Sequence, residues 1–185
     1  MAVHTWQLDQ PHSDVKFKIR HLIISSVNGI FNEFSGTVKT AETYSFDNAV
    51  FDVSINVFSI DTYSTERDEQ LKSEDFFDAD MYPEIRFSSD SFIHHEGDKY
   101  KLSGSLTVKK TTRPFTFDVL FGGYTKDGFG LNRAIFTLTG SINRNDFDIH
   151  DKDTDEAGTF ILGEDIELHA TLNFTLNTEE THNHS

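Results

Sequence analysis

Over most of its length the chain alternates apolar and polar residues one by one. Val15, Phe17 and Ile19 alternate with Lys16, Lys18 and Arg20, and Phe51, Val53, Ile55 and Val57 with Asp52, Ser54 and Asn56. Tyr100, Leu102, Leu106 and Val108 continue the pattern, with Gly104 in the apolar register; Phe115, Phe117, Val119 and Phe121 follow, then Phe136, Leu138 and Ile142, then Ile166, Leu168, Leu172, Phe174 and Leu176. A period of two puts successive side chains on opposite faces of a strand. One dry and one wet face is the signature of an antiparallel sheet. Shorter strands are expected around Ile85 to Phe87 and Phe34 to Val38. Asn28-Gly29, Glu96-Gly97-Asp98, Gly122-Gly123 and Asp127-Gly128 read as the turns between strands.

One stretch departs from the alternation. From Ser64 to Phe77 it reads S-T-E-R-D-E-Q-L-K-S-E-D-F-F. Ser64 or Thr65 can N-cap a short helix whose first turn carries acids, where the helix dipole favours them. Ser73 can cap a second turn presenting Phe76 and Phe77, and Pro83 ends the excursion. About eight strands with one helical insertion near residues 64–77 predict an all-β fold, a single antiparallel barrel or sandwich. The whole of 1–185 reads as one domain, with residues 177–185 as a loose polar tail.

Charge and composition narrow the function. With 16 Lys and Arg against 31 Asp and Glu, the net charge of −15 repels phosphate backbones and anionic headgroups, so no nucleic acid is expected as partner. The absence of cysteine removes disulfides, thiolate catalysis and Cys-ligated metals. No apolar run reaches the ~20 residues of a membrane helix. The first residues lack a basic region followed by an apolar core, which predicts no signal peptide and a cytoplasmic protein, or a periplasmic one had a signal been removed upstream. No G-x-S-x-G, H-E-x-x-H or phosphate-loop pattern is present, so no catalytic residues are expected.

The chain holds 18 Phe against five Tyr and one Trp, and a purely apolar ring suits a dry interior. Eight strands close into a barrel just wide enough to be filled by side chains or to hold one small ligand. Composition leaves both open. Nearly every strand offers a long apolar face and only one short helix is available as lid or plug, which tips the expectation towards a hollow barrel with an apolar tunnel. A dry tunnel favours an apolar guest, and burial contributes about 25 cal/mol per Å².

Several motifs resemble those of the YceI-like family. His12-Ser13-Asp14-Val15-Lys16-Phe17-Lys18-Ile19-Arg20-His21 is similar to its H-S-x-V-x-F-x-I-x-H opening, and Val27-Asn28-Gly29-Ile30-Phe31 to its V-x-G-x-F. Glu66 to Phe77 resembles R-D-x-H-L-x-S-x-D-F-F, Tyr82 to Ser89 resembles Y-P-x-I-x-F-x-S, Leu102 to Pro114 resembles L-x-G-x-L-T-h-x-G-x-T-[KR]-P, and Ile142 to Phe147 resembles I-N-R-x-D-F. Jointly and in order these cover about Trp6 to Leu176. The resemblance implies a lipocalin-like barrel with an apolar tunnel for a polyisoprenoid lipid or isoprenoid quinone. It carries over no catalytic apparatus and no cofactor beyond that bound lipid, and dimers are known in the family, so a homodimer is among the partners it implies. Gln70 replaces a frequent His. Lys110 replaces a turn Gly, so that turn must differ, and Asp148 stands where Gly is common.

The expected ligand contacts are the inward strand residues Phe17, Ile19, Phe51, Val53, Ile55, Phe87, Leu106, Phe117, Val119, Phe136, Leu138, Leu168 and Leu172, with Phe76 and Phe77 closing the mouth or anchoring the helix. His21 is expected to make a structural hydrogen bond rather than to meet a ligand headgroup. Arg67 and Asp68 read as surface positioning residues, and Arg144 and Asp146 as a strand-end hydrogen-bond cluster. His150 to Glu156 alternates acids as a calcium loop does. Glu156 and Leu162 stand where such a loop needs Gly and Glu, so a solvated acidic loop is expected. His94-His95 and His182-x-His184 lack a third ligand, and no metal is expected there.

Overall fold

The alternating stretches become strands. A computed structural model describes residues 3–21, 26–149 and 162–176. Among them lie β1 (His4–Leu8), β2 (Asp14–His21), β3 (Ser26–Phe31), β4 (Phe34–Thr40), β5 (Val50–Asn56), β6 (Ile60–Asp61), β7 (Glu84–Glu96), β8 (Lys99–Val108), β9 (Thr111–Lys126), β10 (Asn132–Asn143) and β11 (Leu162–Leu176). One helix, α1 (Thr65–Lys72), and three short 3-10 turns, η1 (Gln10–His12), η2 (Val57–Ser59) and η3 (Arg144–Phe147), accompany them.

Every pairing is antiparallel, and the ring closes where β1 meets β11. β11 pairs with β2 from Leu162 to Thr171 and with β1 at Phe174 and Thr175. β1 and β2 are thus one strand position broken at η1. β3 and β4 share the next position, and β5 and β6 the one after, since β4 pairs with β1 and β5 while β3 pairs with β2 and β6. The result is an eight-position meander closed on itself, each position bonded to its neighbour in sequence.

Local chemistry explains where the strands bend. Gly122-Gly123, expected to be a turn, lies inside the continuous β9: the register with β10 shifts by one residue there, and Gly123 takes φ +94°, the mark of a glycine bulge. Asn28-Gly29 is not a turn either but the middle of β3, opposite Lys18 and Phe17. The β2–β3 connection falls at residues 22–25, outside those described. Ile85 to Phe87, expected as a short strand, opens the 13-residue β7. The hairpins at Gly97-Asp98 and Asp127-Gly128 are where the sequence places them. The β8–β9 turn puts its left-handed residue at Lys109 (φ +57°), and Asp148 is left-handed too (φ +58°).

Ser64 caps α1 by accepting from Arg67 N at 3.3 Å. Ser73 opens the second turn through its carbonyl, which accepts from Phe76 N at 3.1 Å and Asp78 N at 2.8 Å, but its side chain does not cap that turn. It ends α1, donating its hydroxyl to Gln70 O at 2.5 Å, and residues 74–77 form a turn in which Phe77 N donates to Leu71 O.

The ring is incompletely hydrogen-bonded on one side. β5 pairs with β7 only from Asp52 to Asn56, and β6 pairs with β3 at Ile60 and Asp61. Among the described residues no ladder joins β6 to β7. The chain between them, α1 and residues 73–83, covers this side by burying Leu71, Phe76, Phe77 and Ala79, and Val57 N donates to Pro83 O.

An apolar cavity in one half of the barrel

The barrel interior has two halves of different character. Towards the end that carries the 97–98 and 127–131 turns, aromatic rings fill it. Phe136 packs against Phe46, Phe51, Phe92, Phe121 and Phe174 at centroid distances of 5.0 to 6.0 Å. Trp6, Phe51, Phe136, Phe174 and Leu102 are fully buried there. Such ring pairs add about 0.5–1.5 kcal/mol each beyond area burial. The expected apolar tunnel is therefore closed off in this half by packed phenylalanines.

The other half holds a cavity of about 110 Å³. Its walls are Phe17 and Val15 of β2, Phe31 of β3, Val53 and Ile55 of β5, Phe77 beyond α1, Ile85 and Phe87 of β7, Leu106 and Val108 of β8, Phe117 of β9, Leu138 and Ile142 of β10, Ile149 after η3, and Ile166, Leu168, Ala170 and Leu172 of β11. Lys16 and His169, opposite each other on outward positions of β2 and β11, complete the lining.

Of the expected contacts, Phe17, Val53, Ile55, Phe77, Phe87, Leu106, Phe117, Leu138, Leu168 and Leu172 surround this cavity. Phe51, Val119 and Phe136 do not: alternation turns them inward as expected, but they sit further along the barrel, where rings fill the space. Ile19 and Phe76 are buried and also stand off the cavity. Val15, Ile85, Val108, Ile142 and Ile166 also line the cavity, each in the register of an expected contact without being one of them. Phe31 alternates inward with Val27 and Gly29 on β3, a strand that supplies none of the expected contacts, and pairs with Val15; Ile149 follows η3, outside any strand.

Polar groups hold the cavity's two covers. Arg67 and Asp68 lie less on the surface than expected. Asp68 Oδ1 accepts from Thr62 N at 2.8 Å and Thr62 Oγ1 at 2.6 Å, and Arg67 Nε donates to that hydroxyl at 2.9 Å while its Nη2 donates to Thr62 O. Thr62 is 1% exposed. The 3-10 turn η3 is held by three cations. Arg144, 2% exposed, donates to Gly163 O at 2.9 Å and Ile149 O at 3.3 Å; Lys109 donates to Asp148 O at 2.9 Å and Arg113 to Asp146 O at 2.6 Å. Asp146 contributes its carbonyl to this cluster.

The displaced titrations lie away from the cavity. Arg133 donates to Asp9 at 2.7 Å and to Asp127 at 2.8 Å, tying the β9–β10 turn to the start of η1. That guanidinium holds both carboxyls below their ordinary range, and the two carboxylates raise Arg133 in turn. Burial, with Asp47 and Asp98 nearby, raises Tyr100 in the ring-packed half. His94 Nε2 donates to Gly97 O (2.8 Å), and the ring packs on Tyr100. His150 to Glu156, His182, His184 and the side chain of His21 lie outside the described residues.

A closed antiparallel meander around an apolar cavity, with one helix across a gap in its wall, is a lipocalin-like β-barrel. The chain belongs to the YceI-like family, whose domain model matches residues 6–174. A UPF0312 protein of Staphylococcus aureus strain N315 is 34% identical over 171 residues, 91% of this chain and 95% of its own length. The crystal structure of Burkholderia cenocepacia BcnA superposes with a TM-score of 0.74 at 23% identity, covering 90% of this chain and 98% of that one. A polyisoprenoid binding domain from Saccharophagus degradans superposes with a TM-score of 0.70 at 12% identity, covering 93% and 98%.

Proposed function

We propose that this chain is a non-enzymatic carrier that holds the tail of a long isoprenoid lipid, a polyprenyl chain or an isoprenoid quinone, inside the barrel. The observation that carries the reading is the hydrocarbon lining of the 110 Å³ cavity. Dry apolar cavities accept apolar guests. The Saccharophagus degradans domain with the same fold is described as polyisoprenoid binding, which supports the same class of guest here.

Two other readings fare less well. An enzyme on this barrel would want a titratable group aimed into the cavity with a displaced pKa. Asp9, Asp127, Arg133 and Tyr100, whose titrations are displaced, are all outside the lining. A solid barrel working only through its acidic surface has no use for an empty apolar half.

Native mass spectrometry of freshly purified protein, followed by solvent extraction, tests the reading. A stoichiometric isoprenoid or quinone is the expected result. Protein that comes out empty and also refuses added isoprenoid alcohols overturns it.

A further inference from the structure

The cavity is small for a long guest. An apolar cavity of ~150 Å³ takes up benzene, so 110 Å³ holds about one isoprene unit. Any longer tail has to displace part of the wall. The ring-packed half cannot yield without dismantling the cluster around Phe136. The η3 end is fastened by Lys109 and Arg113, which reach it from the β8–β9 turn and from β9, and by its own Arg144, which donates to Gly163 O of β11. The side between β6 and β7 has no backbone ladder among the described residues. There the cover rests on Leu71, the one buried residue of α1, on Phe76, Phe77 and Ala79, and on the clamp of Arg67 and Asp68 around Thr62. Phe77 is both cavity wall and cover, with its ring 6.4 Å from that of Phe31.

Resting on the carrier reading above, we infer that α1 and its Phe77 read the length of the guest. A tail of one isoprene unit fits with the cover closed. A longer tail takes the space of Phe77, whose lost apolar contacts the hydrocarbon replaces, and the cover swings out on the chain between Thr62 and Pro83. The clamp on Thr62 sets how readily this happens.

The probes are isoprenol, geraniol, farnesol and geranylgeraniol, one to four units, added to the full chain. Hydrogen exchange is followed at Asp68 to Ala79, with η3 as internal control. Isoprenol is expected to leave exchange unchanged, and farnesol and geranylgeraniol to raise it at least about tenfold at the cover alone. Thr62→Val removes the hydroxyl that Arg67 and Asp68 clamp while keeping its shape. It is expected to speed geranylgeraniol association at least about fivefold and leave isoprenol unaffected. Long alcohols that bind with no change at the cover and no rate change in Thr62→Val overturn the inference alone. Failure of every alcohol to bind overturns the carrier reading and this inference together.

Discussion

The ring of Phe17 lies across Gly29, its cross-strand partner, so that a Cβ on Gly29 would fall 2.5 Å from Phe17 Cε1 and closer still to Cζ. Phe17 is a wall of the cavity. The obstacle is the far end of a side chain, which can turn away, and the free direction is inward. Gly29→Ala is therefore expected to push the ring into the cavity. Affinity for farnesol, measured by displacement of a fluorescent apolar probe, should fall at least about tenfold. Stability should fall by only about 1–2 kcal/mol, the ordinary cost of overpacking, or a few degrees in Tm. Undiminished farnesol affinity in a folded Gly29→Ala protein would show that Phe17 is not a working wall.

Gly104 meets a different obstacle. Its Cβ would fall 2.6 Å from Ser89 Cα and closer to Ser88 O, at the bulge where β7 slips register against β8. Backbone in a ladder has no side-chain torsion through which to retreat. Gly104→Ala is expected to cost about 3 kcal/mol or more, in the range reserved for broken cores and strained backbone. Urea denaturation of the two alanine variants side by side checks the contrast: Gly104→Ala should be clearly the less stable.

Phe136 and Leu138 are two residues apart on one strand face, yet one stands among rings and the other beside empty space. Phe136→Ala leaves a void among rings that cannot collapse, at about 3–5 kcal/mol; Leu138→Ala enlarges an existing cavity and is expected near the lower end of the Leu→Ala range, about 2 kcal/mol. Equilibrium unfolding measures both. Leu138→Ala should also widen the range of guests accepted, whereas equal costs would count against the division of the barrel into solid and hollow halves.

Arg133 gives a pH signature. Asp9 and Asp127 titrate below the ordinary carboxylate value of 3.8 when folded, because Arg133 hydrogen-bonds both. A depressed carboxylate contributes stability that is present above its unfolded pKa and is lost as pH falls through the folded one. Wild type should therefore exceed Arg133→Gln in stability at pH 7, and the gap should narrow below about pH 4. Urea midpoints of both proteins from pH 7 down to pH 2 provide the check. A gap that stays constant across that range would remove the carboxylates from the explanation.

Much of the molecule is legible without coordinates. The two-residue period marks the strands from Val15 to Leu176 and their inward faces, because a pleated strand leaves a side chain only two directions. Ser64 and the acids after it mark α1 for the same local reason. Glycine is where the reading strays. Asn28-Gly29 and Gly122-Gly123 look like turns, yet one admits the Phe17 ring and the other a bulge; each is a demand made by a neighbouring strand, and neither is visible along a single strand.

What the sequence by itself determined is which residues face inward, that they are apolar, and that one helix interrupts the strands. Only the tertiary structure decided how far along the barrel each inward residue sits. Phe51, Val119 and Phe136 share their register with Val53, Phe117 and Leu138, but the former stand where rings from several strands meet and the latter where they do not. Alternation specifies a direction at each position. A cavity is a property of what arrives from the other side of the barrel, and that is set by ring closure and stagger across strands far apart in sequence.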